Sequence, residues 1–443
     1  MASFKTNVYL KLGTILFLII LFLLPTAMIQ SLIFEREERQ NEAISEVSSK
    51  WGEAQTLAGP FISVPYYKLV KETSSKDGTE KVIRMTEYLH FLPSKLSISG
   101  ELYPDKRYRS IYEVVVYNSK LQISGLFNNI DFSNLDIKPQ DIQFDKAEFV
   151  LGINDLRGIE EQVTLLWNQD KSYFNPGVTS NDVVESGINA AINLDSLDNA
   201  AYQFDLTLEL KGSQLLYFTP VGKVTDIALS SKWQNPSFNG AFLPDSRTID
   251  ANGFNAKWNV LHLNRNFPQV WTGNRHSIQS ASFGVDLLLP VDSYQKSYRS
   301  IQYAILFIGL TFMVFFFIEV LNKVFIHPIQ YILVGVALLV FYTLLLSISE
   351  HIQYNLAFIV SASATLLIIA GYIKAILKSN QLVLLISGIL TILYTFIFVL
   401  IQLQDYALLI GSIGIFIILG LVMYFSRKID WYNLNAAEKQ NGV

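Results

Sequence analysis

From Ile301 to Phe425 the chain is an almost continuous apolar block. Four short polar breaks cut it, at Glu319–Gln330, Ser349–Asn355, Lys374–Gln381 and Gln402–Asp405. Between them lie five uncharged runs, Ile301–Ile318, Tyr331–Ile348, Leu356–Ile373, Leu382–Ile401 and Tyr406–Phe425. Each holds about 18 to 20 residues, which at a rise of 1.5 Å per residue spans a hydrocarbon core roughly 30 Å thick. A helix of a soluble protein needs a polar face, and these runs have none. Lipid offers the backbone no partner, so each run must close its hydrogen bonds within itself, as a helix.

The remaining composition agrees. Of 443 residues 51% are hydrophobic and only 16% charged, which is too apolar for one soluble globule of this size. A net charge of −4 gives a nucleic-acid role no electrostatic support. The chain contains no cysteine, which excludes disulfides, thiolate metal sites, iron–sulfur clusters and a thiol nucleophile. A domain outside the cytosol must then stand on its own packing, which a stretch of about 260 residues can do.

Leu12–Phe34 is a sixth apolar run, preceded by Lys5 and Lys11. It is longer than the apolar region of a cleavable signal peptide, and Pro25-Thr26-Ala27 offers no A-x-A site, so an uncleaved anchor is expected. Pro25 should loosen that helix. Lys and Arg in short flanks set orientation. Six spans with both termini inside place Lys5, Lys11, Lys323, Lys374, Lys378, Arg427 and Lys428 in the cytoplasm, and the two short outer loops contain neither residue type. The expected layout is a cytoplasmic N-terminus (1–11), an anchor helix (12–34), a stalk (35–56), a β-rich domain (57–297), a five-helix bundle (298–425) and a cytoplasmic tail (426–443). Residues 35–300 then lie outside, in the periplasm of a Gram-negative cell.

The stretch from Glu35 to Gln55 opens with a dense charge run, and Ala43, Ile44 and Val47 follow at helical spacing. It reads as a helix continuing the anchor, or as a solvated linker. Beyond Leu57 the texture changes to short β-branched and aromatic runs, such as Phe61–Tyr67, Val82–Phe91, Lys95–Leu102, Leu121–Phe127 and Phe283–Leu289. Phe204, Leu206, Leu208 and Leu210 alternate with Asp205, Thr207 and Glu209, the period of an antiparallel strand with one wet face. The fold class is therefore a membrane protein of six transmembrane α-helices, one N-terminal and five C-terminal, with a large inserted, mainly-β, sandwich-like periplasmic domain. A weak echo between Leu156–Gly177 and Val221–Gly240, each with Trp, then Ser-aromatic, then Gly, suggests two β modules; a duplication or a chance likeness accounts for it equally.

Chemistry is sparse. The ionisable residues of the membrane block, Glu319, Lys323, His327, Glu350, His351, Lys374, Lys378 and Asp405, all sit near ends. Coupled transporters carry such groups at mid-depth. Glu319 and Lys323 form a favourable i, i+4 pair, and His327-Pro328 marks the turn into the next span. Ser349-Glu350-His351 is the sharpest polar cluster and supplies the candidate ligand-binding residues. Glu350 can hold one tautomer of His351, although neighbours on a helix point about 100° apart and make a poor chelating pair. Ser361, Ser363, Gly411 and Gly414 read as helix-packing positions. In the β-rich part His90, His262 and His276 are the histidines available, and the stretch Trp258–Trp271 reads as a core strand and its turn. No HExxH, GxSxG, Walker or EF-hand pattern is present, and no cofactor, metal or catalytic residue is indicated.

Long stretches then carry a likeness. SSKWGEAQTLAGPFISVPY from Ser48, RYRSIYEVVVY from Arg107, SSKWQNPSFNGAFLP from Ser230, GFNAKWNVLHLNRNFPQ from Gly253, PVDSYQKSYRSIQYAILF from Pro290 and HPIQYILVGVALLVFYTLLLSISEHIQYNLAF from His327 run in order along most of the chain. The chain resembles the CreD family of bacterial inner-membrane proteins. The resemblance implies a role in cell-envelope integrity, linked to an envelope- or nutrient-responsive two-component regulon, and brings no catalytic residue with it. The leading expectation is a non-enzymatic membrane protein whose partners are the bilayer and an envelope lipid, a peptidoglycan precursor or another envelope protein. The alternatives are a flippase-like accessory that handles an amphiphile in the five-helix bundle, and an envelope enzyme using Glu350 and His351. Oligomeric state is not legible.

Overall fold

The computed structural model describes residues 8–73, 80–128, 135, 137–194, 201–289, 293–322, 324–377, 379–403 and 406–429. Lys5, Lys323 and Lys378, used above to orient the chain, lie outside them, as does Asp405. The chain forms two units, one made of Met1–Gln40 with Val291–Val443, the other of Asn41–Pro290.

The first unit is helical. Among the described residues six helices are long and apolar enough to cross a membrane, one near the N-terminus and five towards the C-terminus. The N-terminal span comprises α1 (Val8–Leu21) and α2 (Leu23–Trp51), parted at Phe22. Pro25 is the cause: it has no N–H to give the Leu21 carbonyl four residues back. The ladder resumes at Thr26, whose hydroxyl and amide both donate to the Phe22 carbonyl, at 2.7 and 3.2 Å. A short helix, α3 (Ser293–Gln302), leads into α4 (Ala304–Asn322). Then follow α5 (Pro328–Ser349), α6 (Tyr354–Leu377), α7 (Asn380–Gln402) and α8 (Ala407–Ser426). The expected boundary between residues 297 and 298 falls inside α3, because that segment is amphipathic and helical rather than the end of the β domain. Helix α5 starts where it does for a local reason. Pro328 occupies its first turn, the His327 ring accepts the Ile329 amide (3.3 Å), and Gln330 returns to the His327 amide (2.9 Å).

The anchor is packed into the bundle at its break. Phe22 is buried and meets the Phe312 ring at 6.0 Å. Its ring lies over Gly335 of α5, where a Cβ would stand 2.5 Å from Phe22 Cζ. Glycine is therefore required by close approach, and Gly335→Leu is expected to cost about 1–3 kcal/mol through overpacking. Thermal unfolding in detergent measures it; Gly371→Ala on α6, with nothing within 4 Å, serves as the neutral control. Equal melting temperatures for both variants would refute the packing argument. In contrast to the other spans, no part of the apolar window of α8 is buried.

The second unit is a pair of mixed sheets. One runs, in order, Ser246–Asp250, Gly253–Leu261, Val224–Ser231, Lys95–Arg109, Tyr112–Phe127, Tyr202–Ser213, Thr164–Trp167, Asp170–Tyr173. The other is built around Gln55–Thr73, which pairs with Glu80–Phe91, Glu148–Ile153 and Leu215–Thr219. The alternation read at 203–210 is the observed one: Phe204, Leu206, Leu208 and Leu210 are buried, and the residues between them face outward. Antiparallel pairing dominates but is not universal. Gln55–Ala58 runs parallel to Leu216–Thr219, and Lys95–Leu102 runs parallel to Val224–Ser231. A single core lies between the sheets. Its aromatic centre joins Phe149 of one sheet to Phe127 and Phe204 of the other, with centroids 5.2–6.2 Å apart. The suggestion of two modules is thus corrected. The echoing stretches occupy unrelated places, Trp167 buried on a strand near one sheet's margin and Trp233 half-buried in a connection outside any strand.

Candidate functional site at the Glu350 end of the bundle

The turn between α5 and α6 places the three predicted residues in three directions. The Ser349 hydroxyl is buried and donates back to the Leu346 carbonyl (2.9 Å). Glu350 closes the helix, and its carboxylate accepts the Tyr294 hydroxyl (3.0 Å) and faces Arg36 Nε (3.8 Å). His351 is exposed. The roughly 100° step between helical neighbours keeps them apart. Glu350 therefore serves α2 and α3.

Residues that the sequence reading passed over complete this end. Tyr354 and Ser300 share a 2.5 Å hydrogen bond, and the hydroxyl that accepts in it donates to the Lys296 carbonyl, 3.0 Å from Ser300 Oγ and 3.3 Å from Tyr354 Oη. The Lys296 ammonium donates to Gln402 (3.3 Å), whose amide in turn donates to Asn355. One signal was available: Tyr294, Ser297, Ser300 and Ile301, at helical spacing, are the buried stripe of α3. The arrangement is a polar layer tied by hydrogen bonds between helices. No group of three or more His, Asp or Glu residues fit to hold a metal occurs among the described residues.

At the opposite end of α4 a second network is buried. Lys11 and Glu319 form an ion pair. Lys11 Nζ also donates to the Ile326 carbonyl (2.8 Å), and Glu319 accepts the Ile326 amide (3.2 Å) and the Tyr331 hydroxyl (3.0 Å). The i, i+4 reading assigned Glu319 to Lys323, which lies outside the described residues. The partner that the fold supplies is Lys11, from the other end of the sequence.

In the β unit His90 is fully buried, with Nε2 3.3 Å from Asp182 and its ring against Phe61 and Trp271. Burial lowers its pKa, and Asp182 offsets part of the effect. The stretch 258–271 is core strand and turn, with Trp258 and Trp271 buried and Arg265 bonding the carbonyls of Val221 and Phe267. The solvent face of the sheet centred on Lys95–Arg109 carries two adjoining depressions of about 510 and 410 Å³, which share Leu166 and Asp205.

A family model described as "CreD: Inner membrane protein CreD" matches residues 7–432. Inner membrane protein CreD of Escherichia coli (strain K12) is 30% identical over 432 residues, covering 97% of this chain and 94% of the relative. Among solved structures, an M1 zinc metallopeptidase mutant from Deinococcus radiodurans, bound to a Tyr-Ser-Ala substrate, aligns over 39% of each chain at 7% identity with a TM-score of 0.18. A two-domain M1 zinc metallopeptidase mutant bound to L-tryptophan aligns over 39% of each chain at 8% identity with a TM-score of 0.17. At such scores the likeness carries no argument.

Proposed function

We propose that this chain, which belongs to the CreD family of inner membrane proteins, supports cell-envelope integrity without catalysing a reaction. In this reading both termini are cytoplasmic and the β unit works in the periplasm, joined to membrane spans at both ends of its sequence. Its ligand is an envelope lipid, a peptidoglycan precursor or another envelope protein. The observation that carries the reading is the use to which the polar groups of the bundle ends are put. Glu350, Lys296 and Glu319 are each engaged in bonds between helices, as befits a scaffold rather than a reaction centre. The adjoining depressions on the polar sheet face are where a ligand of the β unit fits.

Deleting the gene should raise sensitivity to detergent, β-lactam and osmotic challenge. Full complementation by a chain carrying Glu350→Ala and His351→Ala would remove the enzyme reading. Unchanged growth of the deletion strain would overturn the envelope role. A periplasm-dependent reporter fused near residue 150 checks the orientation independently. The second reading, a flippase-like accessory, draws support from uncharged polar groups inside the bundle.

A further inference from the structure

Four helices each bury a hydroxyl in the bundle interior: Thr311 on α4, Tyr342 on α5, Ser361 on α6 and Tyr394 on α7. Thr311, Tyr342 and Ser361 have no hydrogen-bond partner among the described residues, and the Tyr394 hydroxyl lies beside that of Thr365. They also share a level. The Ser300–Tyr354 and Gln402–Asn355 bonds and the 350–353 turn bring the adjoining ends of these helices together. From that end each hydroxyl-bearing residue lies about two turns, roughly 11 Å, into its helix. The Tyr394 ring ties the level together, with centroids 4.6 Å from Phe307, 4.8 Å from Phe341 and 6.4 Å from Phe358. Those three phenylalanines stand within a turn of Thr311, Tyr342 and Ser361 respectively.

Hydroxyls on membrane helices ordinarily bond a carbonyl of their own preceding turn. Thr343, Thr365, Thr391, Thr395 and Ser412 all do so, at 2.8–2.9 Å. Thr311 and Ser361 do not, although the same partner is open to them. An unbonded hydroxyl is costly where no solvent reaches, and buried hydroxyls at one level on four helices offer donors and acceptors to one shared occupant. The runs bearing them contain no charged residue, so the occupant is neutral. We propose that Thr311, Tyr342, Ser361 and Tyr394 form an internal binding site for an uncharged oxygen group, either water or the hydroxyl of a neutral amphiphile. The assignment goes beyond the envelope role and is independent of which side of the membrane the β unit occupies.

The test uses the full chain in phosphatidylcholine nanodiscs. Thr311→Val and Ser361→Ala remove a hydroxyl with little change of shape, and Thr311→Ser retains one. With an occupied site, each removal lowers the melting temperature by about 3 °C. The double variant loses less than the sum, because both hydroxyls serve one ligand, and Thr311→Ser melts with the wild type. Thr343→Val, which removes a hydroxyl bonded within its own helix, reports the background. Native mass spectrometry separates the two occupants: an adduct that the double variant loses identifies an amphiphile, and a melting loss without an adduct identifies water. Variants that melt at or above the wild-type temperature would overturn the proposal, since removing truly unbonded hydroxyls relieves strain. Loss of folding in Thr311→Ser as well as Thr311→Val would overturn it equally.

Discussion

Lys11→Met lowers the stability of the full-length protein by about 3–5 kcal/mol, and adding Glu319→Gln restores most of it. Removing one member of a buried ion pair strands the other charge away from water, which accounts for most of the loss. In this protein the stranded group is Glu319, 8% exposed and held between α1, α4 and the start of α5. The Ile326 amide and the Tyr331 hydroxyl stay with it, but neither brings a positive charge. Glutamine keeps an acceptor for those donors and removes the charge, so the double variant contains no uncompensated ion. Thermal unfolding of the purified chain in detergent gives the comparison. The argument fails if Lys11→Met is as stable as the wild type, or if the double variant is less stable than the single one.

Asp155→Ala is expected to cost the β unit about 3 kcal/mol at neutral pH, by the same logic of a buried group losing its partners. Asp155 is 8% exposed and organises a polar knot. One carboxylate oxygen accepts the Glu53 amide (2.9 Å), the other the Arg157 amide (3.1 Å) and guanidinium Nε (2.8 Å). Arg157 reaches on to the Ser49 carbonyl (2.6 Å), and buried Gln55 bonds the Asp155 backbone in both directions. Burial by itself raises the Asp155 pKa, but the hydrogen bonds from Arg157 and Glu53 outweigh it and hold the group below its ordinary 3.8. A depressed folded value means that the stability from this carboxylate is complete above about pH 4 and is lost as pH falls through the folded value. The gap between wild type and Asp155→Ala in a urea titration should therefore be widest near neutrality and narrow below about pH 4. A gap that is independent of pH would show that the charge contributes nothing.

Much of this protein was legible because lipid and strand geometry leave strong marks in a sequence. Five uncharged runs and an N-terminal one announced six candidate spans. The alternation at 203–210 announced a strand with one buried face. Family membership followed from collinear stretches spread over most of the chain. The candidate site was legible only in outline. Ser349, Glu350 and His351 drew notice as neighbours in sequence, yet the helix sends them three ways, and Tyr294, Lys296, Ser300 and Gln402 carry as much of that layer.

Local sequence determined where the chain can cross oil, where Pro25 interrupts a helix and where His327-Pro328 begins one. These choices depend on hydrogen bonds and burial within a few residues of each position. Tertiary structure alone decided which distant groups meet: Lys11 with Glu319, Gln55 with Asp155, His90 with Asp182, Phe22 with Gly335. It also paired strands far apart in the chain in parallel within each sheet, and packed the two sheets on one core. The physical reason is that a buried polar group or a close backbone approach takes its partner from wherever packing brings one, and separation along the chain leaves no periodic trace of that choice.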